Sequence, residues 1–355
     1  MKKTFATTML IVSTIMGAGF CSGKEIVSYF ARFGLKSLFF VPFLFLIYFF
    51  IFKLFLHLGA KENFNGIEDI NKKIFKKGAK FSYVLFFIVY LIFSSAMFAG
   101  IKEISLMFNW KPLTPLLLGV VFCLAFIVLL KPFNALKKIN SVLGPFLIVL
   151  MFVLCLLCFN FFGFNSSKLI QSYYNYLLFF NPIIYACQGL ALAYFILVKS
   201  GEGLNKKQIN ASAFLSTLIL CVLQVFVIIV INFNPEVLNQ AMPLAALSIK
   251  IGLPFDVIYI FTLLVAITTT LLSTSRPLNE IVKLKAKNTG FAAFLSLLMP
   301  FVLSIIGFDR IIIWFYPIIG VIGFVILALV VYDLAFVSFF KYAHKKIHNA
   351  SKHTK

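Results

Sequence analysis

Charge is what this sequence has least of. Asp, Glu, Lys and Arg make up 12% of its 355 residues, where a soluble domain carries about a quarter. Hydrophobic residues fill 62%, and Phe alone accounts for 46. Apolar runs recur along the whole chain, each of the roughly eighteen residues or more that a 30 Å hydrocarbon core requires. A soluble globular domain is excluded. The chain is an all-α polytopic membrane protein.

Catalytic signatures are missing too. The sequence holds no intramembrane Asp pair, nucleophile–base set or phosphate loop. His57 ends a span, while His344, His348 and His353 lie in a basic tail, without the acidic neighbours a metal site would want. Cys21, Cys123, Cys155, Cys158, Cys187 and Cys221 all sit in apolar runs without metal-ligand spacing. No enzyme and no resident cofactor is expected. The first residues mimic a secretory leader ending at Cys21, but bulky Phe20 stands where cleavage needs a small residue.

Acidic residues number 11 against 32 basic ones, a net charge of +21. Nucleic acid is not the implied partner, because the lysines cluster in short loops such as "NKKIFKKGAK" (71–80) rather than on a basic face. Loops facing anionic lipid explain them. Ten spans are expected, near 4–30, 35–57, 80–105, 113–130, 139–159, 173–198, 210–232, 255–276, 289–306 and 311–340. With the N-terminus inside, Lys2 and Lys3, the groups 53–80, 131–138, 199–207 and 276–287, and the tail 341–355 hold three quarters of the basic residues. Both termini are therefore placed in the cytoplasm. Five spans repeated in one chain must be inverted the second time. The expected organisation is one transmembrane domain over 1–355, with repeat one at 4–159, repeat two at 173–340 and a basic tail at 341–355.

The first run is poorly suited to an unbroken helix. Thr4 to Phe30 is 27 residues, about 40 Å of helix. It contains "IMGAGFCSGKEI" (15–26). Interior glycine costs about 1 kcal/mol against alanine, and Lys24 and Glu25 would each cost roughly 3 kcal/mol near the bilayer centre. Unwinding at Met16–Phe20, with a second half-helix from about Cys21, avoids these costs where the chain lines a cavity or is buried. Its N–H groups would face an anion, and the carbonyls ending the first half a cation. Close packing through Gly19 and Gly23, a GxxxG, is the alternative.

"GAGFCSGKEI" resembles the GAGFASGxE signature of the YkvI family of bacterial membrane proteins, with Cys21 where alanine is usual. That family is placed with the amino acid–polyamine–organocation superfamily. The resemblance implies a LeuT-type 5+5 inverted repeat with discontinuous helices 1 and 6, in a bacterial cytoplasmic membrane. It supplies a transporter class and no substrate.

Other constellations fit that frame. In the eighth span Thr262, Ala266, Thr269, Thr270 and Ser273 share a helix face. Hydroxyls there can bond back to their own helix or serve as oxygen ligands for a hard cation. The resemblance implies sodium on Ala266, Thr269 and Thr270 with Ser13 and Met16 from the first span. No lysine stands in 139–159 to substitute for the ion. In the sixth span Asn181, Tyr185 and Gln188 share a face and Gly189 follows. Either a break near Ala186–Gly189 or a Pro182 kink is expected. The resemblance also suggests a lid from Tyr90, with Ser94 one turn on. Asp333 either pairs with a loop lysine or belongs to an inner gate. Glu25 either draws a cationic group towards the midplane or pairs with Arg32 in an outer vestibule.

The expected function is secondary transport of a small amino-acid-like or amine solute by alternating access, coupled to Na+. The substrate would be held by Gly17, Ala18, Gly19, Phe20, Ser22, Glu25, Tyr90, Ser94, Asn181, Gln188 and Gly189. A transporter-fold sensor without net flux and a proton-coupled permease are the other readings. A channel would want an amphipathic pore helix, and none is present.

Overall fold

The computed structural model describes residues 2–62, 64–162, 177–286 and 288–333, and every regular element among them is helical. The ends of the second repeat (173–176 and 334–340) and the basic tail with its three histidines lie outside the described residues. Three short helices form the first span: α1 (Lys2–Ile15), α2 (Ala18–Cys21) and α3 (Lys24–Tyr29). The rest are α4 (Val41–Lys61), α5 (Ile67–Phe75), α6 (Ala79–Met107), α7 (Thr114–Leu129), α8 (Phe133–Phe162), α9 (Leu177–Gly201), α10 (Lys206–Asn232), α11 (Pro243–Ile251), α12 (Phe255–Lys283) and α13 (Thr289–Leu303). The tenth span, α14, runs over Phe308–Asp333. Nine of these segments among the described residues are long and apolar enough to cross a membrane. The broken first segment completes ten.

The packing repeats when span n is exchanged for span n+5. Span 2 lies on span 6 (α4 on α9) as span 7 lies on span 1 (α10 on α1). Span 9 lies on span 3 as span 4 lies on span 8, and α6 with α12 maps onto itself. Each repeat also carries a short helix after its second span, α5 in the first and α11 in the second. The α5 helix places Ile67, Ile70 and Ile74 inward beneath a lysine-rich outer face, the pattern of a helix lying on a core.

Two glycine pairs set the closest approaches. A Cβ on Gly59 would stand 1.8 Å from the Val198 carbonyl oxygen, and one on Gly201 would stand 2.2 Å from that of Leu56. The α4 and α9 backbones therefore touch in both directions. Nearer the start of α9, a Cβ on Gly323 would meet the Cys187 oxygen at 1.9 Å. Burial without side chains supplies van der Waals contact where lipid provides no hydrophobic drive.

The sixth span corrects one expectation. No break occurs at Ala186–Gly189, and α9 is continuous with Pro182 inside it. Gly189 is used for proximity instead, since its absent Cβ would lie 3.0 Å from the Tyr48 hydroxyl. The fifth span likewise begins at Phe133, so Lys137 and Lys138 belong to it. Asp333 pairs with Lys76 at 2.5 Å, the loop-lysine alternative.

Gly59→Ala should destabilise the purified protein by about 1–3 kcal/mol through overpacking, read as a lower melting temperature. Gly119→Ala, with nothing within 4 Å of its position, should leave melting unchanged. Equal melting of the two variants would show that α4 and α9 do not touch there.

Candidate substrate and cation site

The first span unwinds where its glycines permit. After Ile15 the chain turns through Gly17, whose φ of −80° and ψ of −169° are extended. A second interruption follows at Gly23, with φ of 79°, a left-handed conformation glycine takes without penalty. The longer half-helix thus starts at Lys24 rather than Cys21, and Gly19 and Phe20 are helical. Gly19 and Gly23 do not form a packing face between helices. Gly23 makes the turn, and a Cβ on Gly19 would stand 1.9 Å from Glu25 Oε1. The Glu25 side chain folds back onto Gly19, and any larger residue would displace it.

Carbonyls at the end of α1 meet hydroxyls of α12. Thr269 Oγ1 lies 3.2 Å from the Ser13 oxygen and 3.0 Å from that of Ala266. Thr270 Oγ1 lies 3.1 Å from the Ser13 oxygen and 3.0 Å from that of Thr14. All of these residues are fully buried. Two hydroxyl hydrogens serve more facing oxygens than they can bond at once, so the cluster is rich in oxygen and poor in protons. The Met16 carbonyl, expected with this set, instead accepts the Cys21 thiol at 3.6 Å. Self-bonding accounts for Thr262, whose hydroxyl donates to Ile258 at 2.7 Å. Asn140 was missed: its Oδ1 accepts the Ser13 hydroxyl at 2.8 Å. A lone buried amide in an apolar span was the available signal.

Around α3 the polar contacts converge on Tyr29. Its hydroxyl donates to Gln188 Oε1 at 2.6 Å, and its carbonyl accepts Asn181 Nδ2 at 2.7 Å. The sixth-span face is thereby tied to the first span. Lys24, buried, reaches Asp309 Oδ1 at 2.6 Å and donates to the Gln240 carbonyl at 2.9 Å. Ser22 donates to the Gly19 carbonyl at 3.1 Å, and its own carbonyl accepts the Leu244 amide at the start of α11. Arg32 stacks on Phe33 at 4.8 Å and does not pair with Glu25, which is 5% exposed. The vestibule pairing is overturned because the carboxylate points into the break.

A cleft of about 630 Å³ beside Lys24 and Asp309 is lined by Ser28, Tyr29, Arg32 and Asn181. At the opposite end of the bundle, Glu280 accepts the Ile67 amide at 2.9 Å and Lys199 binds Glu202 at 2.7 Å. Arg276 reaches the Leu129 carbonyl at 3.2 Å.

Tyr90 and Ser94 lie elsewhere. The Phe195 amide donates to the Tyr90 hydroxyl at 3.3 Å, and Ser94 shares a 2.9 Å hydrogen bond with Thr274. The α6 residues at the break are Met97 and Gly100, against Gly17 and Ala18. Met97 is seven residues beyond Tyr90, about 10 Å along a helix.

No protein-family model and no curated protein matches the sequence. Solved structures do resemble the fold. Mhp1, a nucleobase-cation-symport-1 family transporter, in a closed conformation with bromovinylhydantoin bound, is 11% identical; the match covers 84% of this chain and 71% of that one at a TM-score of 0.54. The inward-facing conformation of Mhp1 gives 10%, 92%, 73% and 0.60. A Na+-coupled sialic acid symporter in a substrate-bound outward-open state gives 11%, 92%, 77% and 0.59. At such identity the likeness is one of architecture, and the architecture is the LeuT-type fold of these symporters.

Proposed function

We propose that this chain is a secondary active transporter of a small amino-acid-like or amine solute, working by alternating access and coupled to sodium. The observation that carries the reading is the meeting of the α1 carbonyls with Thr269 and Thr270 at a helix break. Sodium would be held by the Ser13 and Ala266 carbonyls and the two hydroxyls, a neutral set of oxygens suited to a hard cation. On binding, the hydroxyl hydrogens would rotate away from the ion. The similar sialic acid symporter is Na+-coupled by its description, which supports the assignment. The solute would sit at the break itself, against Gly17 to Phe20, Ser22 and Glu25 from the first span and Gln188 from the sixth.

Alternating access needs two closures that open in turn. The Lys24–Asp309 pair with Gln240 closes one end, and the Glu280, Arg276 and Lys199 contacts close the other. The basic loops place that second end, with both termini, in the cytoplasm. The outer closure would then part as the tenth span moves from α3, opening the cleft by Tyr29 onto the break.

Radiolabelled sodium binding to the purified protein tests the cation site. Thr269→Val should weaken it about tenfold, the loss of one oxygen ligand. Thr268→Val should not, because that hydroxyl donates to Leu264 of its own helix. Equal binding by both variants overturns the site, and uptake driven by protons without sodium overturns the coupling.

The outer closure has its own test. In a variant keeping Cys21 alone among the cysteines, Lys24→Met should speed maleimide modification of Cys21 from the Asp309 side about fivefold. That corresponds to roughly 1 kcal/mol for an ion pair with one partly exposed partner. An unchanged rate would show that the pair does not gate.

A further inference from the structure

Glu25 has no partner. It is 5% exposed, and among the described residues its carboxylate accepts no hydrogen bond and joins no ion pair. The two nearest cations in sequence are engaged elsewhere, Lys24 on Asp309 and the Gln240 carbonyl, Arg32 over Phe33. The side chain is held in this position by the missing Cβ of Gly19. A buried acid left without a counter-charge is a strong sign of something it is built to receive.

Three further groups share its surroundings. The hydroxyls of Tyr48, Tyr185 and Tyr316 are buried and without hydrogen-bond partners. Of the elements that carry them, α9 and the π-helical turn before Tyr316 pack on α3, and Tyr48 lies beside Tyr185. Tyr48 and Tyr185 come from α4 and α9 with ring centroids 6.2 Å apart. Tyr29 adds a ring 5.2 Å from Tyr185. Tyr316 follows a π-helical turn at Ile311–Phe315 in α14, a distortion that occurs preferentially at functional sites, and that turn packs on α3.

The chemistry of this set narrows the occupant. A proton on Glu25 would remove the charge and leave the three hydroxyls unbonded. A quaternary ammonium would bring charge, and aromatic rings attract it, but it donates no hydrogen bond. A primary ammonium brings one positive charge and three N–H donors, enough for the carboxylate and two of the three phenol oxygens at once. We propose that Glu25, with Tyr48, Tyr185 and Tyr316, is the recognition site for a primary ammonium group. This deepens the transporter reading and rests on it only in treating the ammonium as cargo.

Thermal melting of the full-length purified protein, titrated with n-propylammonium chloride, tests the site. At constant, saturating sodium chloride, propylammonium should stabilise saturably, at a concentration about tenfold below tetramethylammonium, while n-propanol should not reproduce the effect. Glu25→Gln should raise the half-saturating concentration by about tenfold or more. Tyr185→Phe should raise it about threefold for propylammonium and leave tetramethylammonium unchanged. Should Glu25→Gln fail to fold, carbodiimide labelling of wild-type Glu25 replaces it, with protection by propylammonium expected. Equal potency of tetramethylammonium, unchanged Glu25→Gln binding or unprotected labelling would each overturn the proposal. Counterflow of radiolabelled propylammonium in proteoliposomes separates the two readings. Binding without counterflow removes the transporter and keeps the site, whereas counterflow of another amine or amino acid without ammonium binding removes the site and keeps the transporter.

Discussion

A chain that stops being helical inside hydrocarbon must find partners for the backbone groups it frees, because no water is there to take them. Here the freed groups lie between Ser13 and Gly17, and the partners come from one helix 250 residues away in sequence. Thr269 and Thr270 bring their hydroxyls to the Ser13 and Thr14 carbonyls. Gly17 makes the contact sterically possible, since a Cβ there would lie 3.1 Å from Thr270 Oγ1. This obligation fixes α12 against α1. Because α12 also packs on α6, α7, α8 and α13, much of the bundle is referenced to one unsatisfied stretch of backbone.

Steric absence does comparable work elsewhere. Gly59 and Gly201 let α4 and α9 touch backbone to backbone, while Gly320 and Gly323 let α14 do the same against the earlier turns of α9. The sixth span is therefore clamped between two neighbours along its length. A helix so held has little room to unwind, which accounts for its continuity where the first span breaks twice. The inverted repeat is thus symmetric in packing and asymmetric in its central helices. One copy is broken, and its counterpart is continuous.

Much of this was legible in the sequence, and the reasons differ by element. Span number followed from the long apolar runs, because bilayer thickness sets a length that composition reports directly. The first break was legible because Gly17 and the Lys24-Glu25 pair are costly in a lipid-spanning helix. Its second interruption was not, since Gly23 read equally well as half of a GxxxG. The Ala266, Thr269 and Thr270 face was visible as a stripe of hydroxyls. Its partner Asn140 lay inside the expected fifth span, and only the packing shows that its amide reaches Ser13. Tyr90 was chosen by helix number, and the error of two turns shows that a span assigns a face but not a depth. Tyr48 and Tyr316 had no sequence signal at all: among 13 tyrosines, orphaned hydroxyls are revealed only by the packing around them.

What the break places together is a pair of electrostatically different sites on one short segment. Before Gly17 the chain offers neutral oxygens, which suit a small bare cation. After Gly23 it offers the carboxyl group of Glu25, from which Lys24 turns away to Asp309. Coupling between two ligands requires only that each bind one conformation better than the other. Ser13 and Glu25 are joined by a stretch containing three glycines, so a shift of α3 relative to α1 moves one site against the other. The Lys24–Asp309 contact sits on α3 itself, and closing it fixes where the Glu25 carboxylate rests. On the proposed reading, an ion bound at Ser13 and Thr269 would stiffen the same joint from the other side. On that reading, solute, ion and closure would act on a single hinge, and cooperation between them would need no longer pathway through the protein.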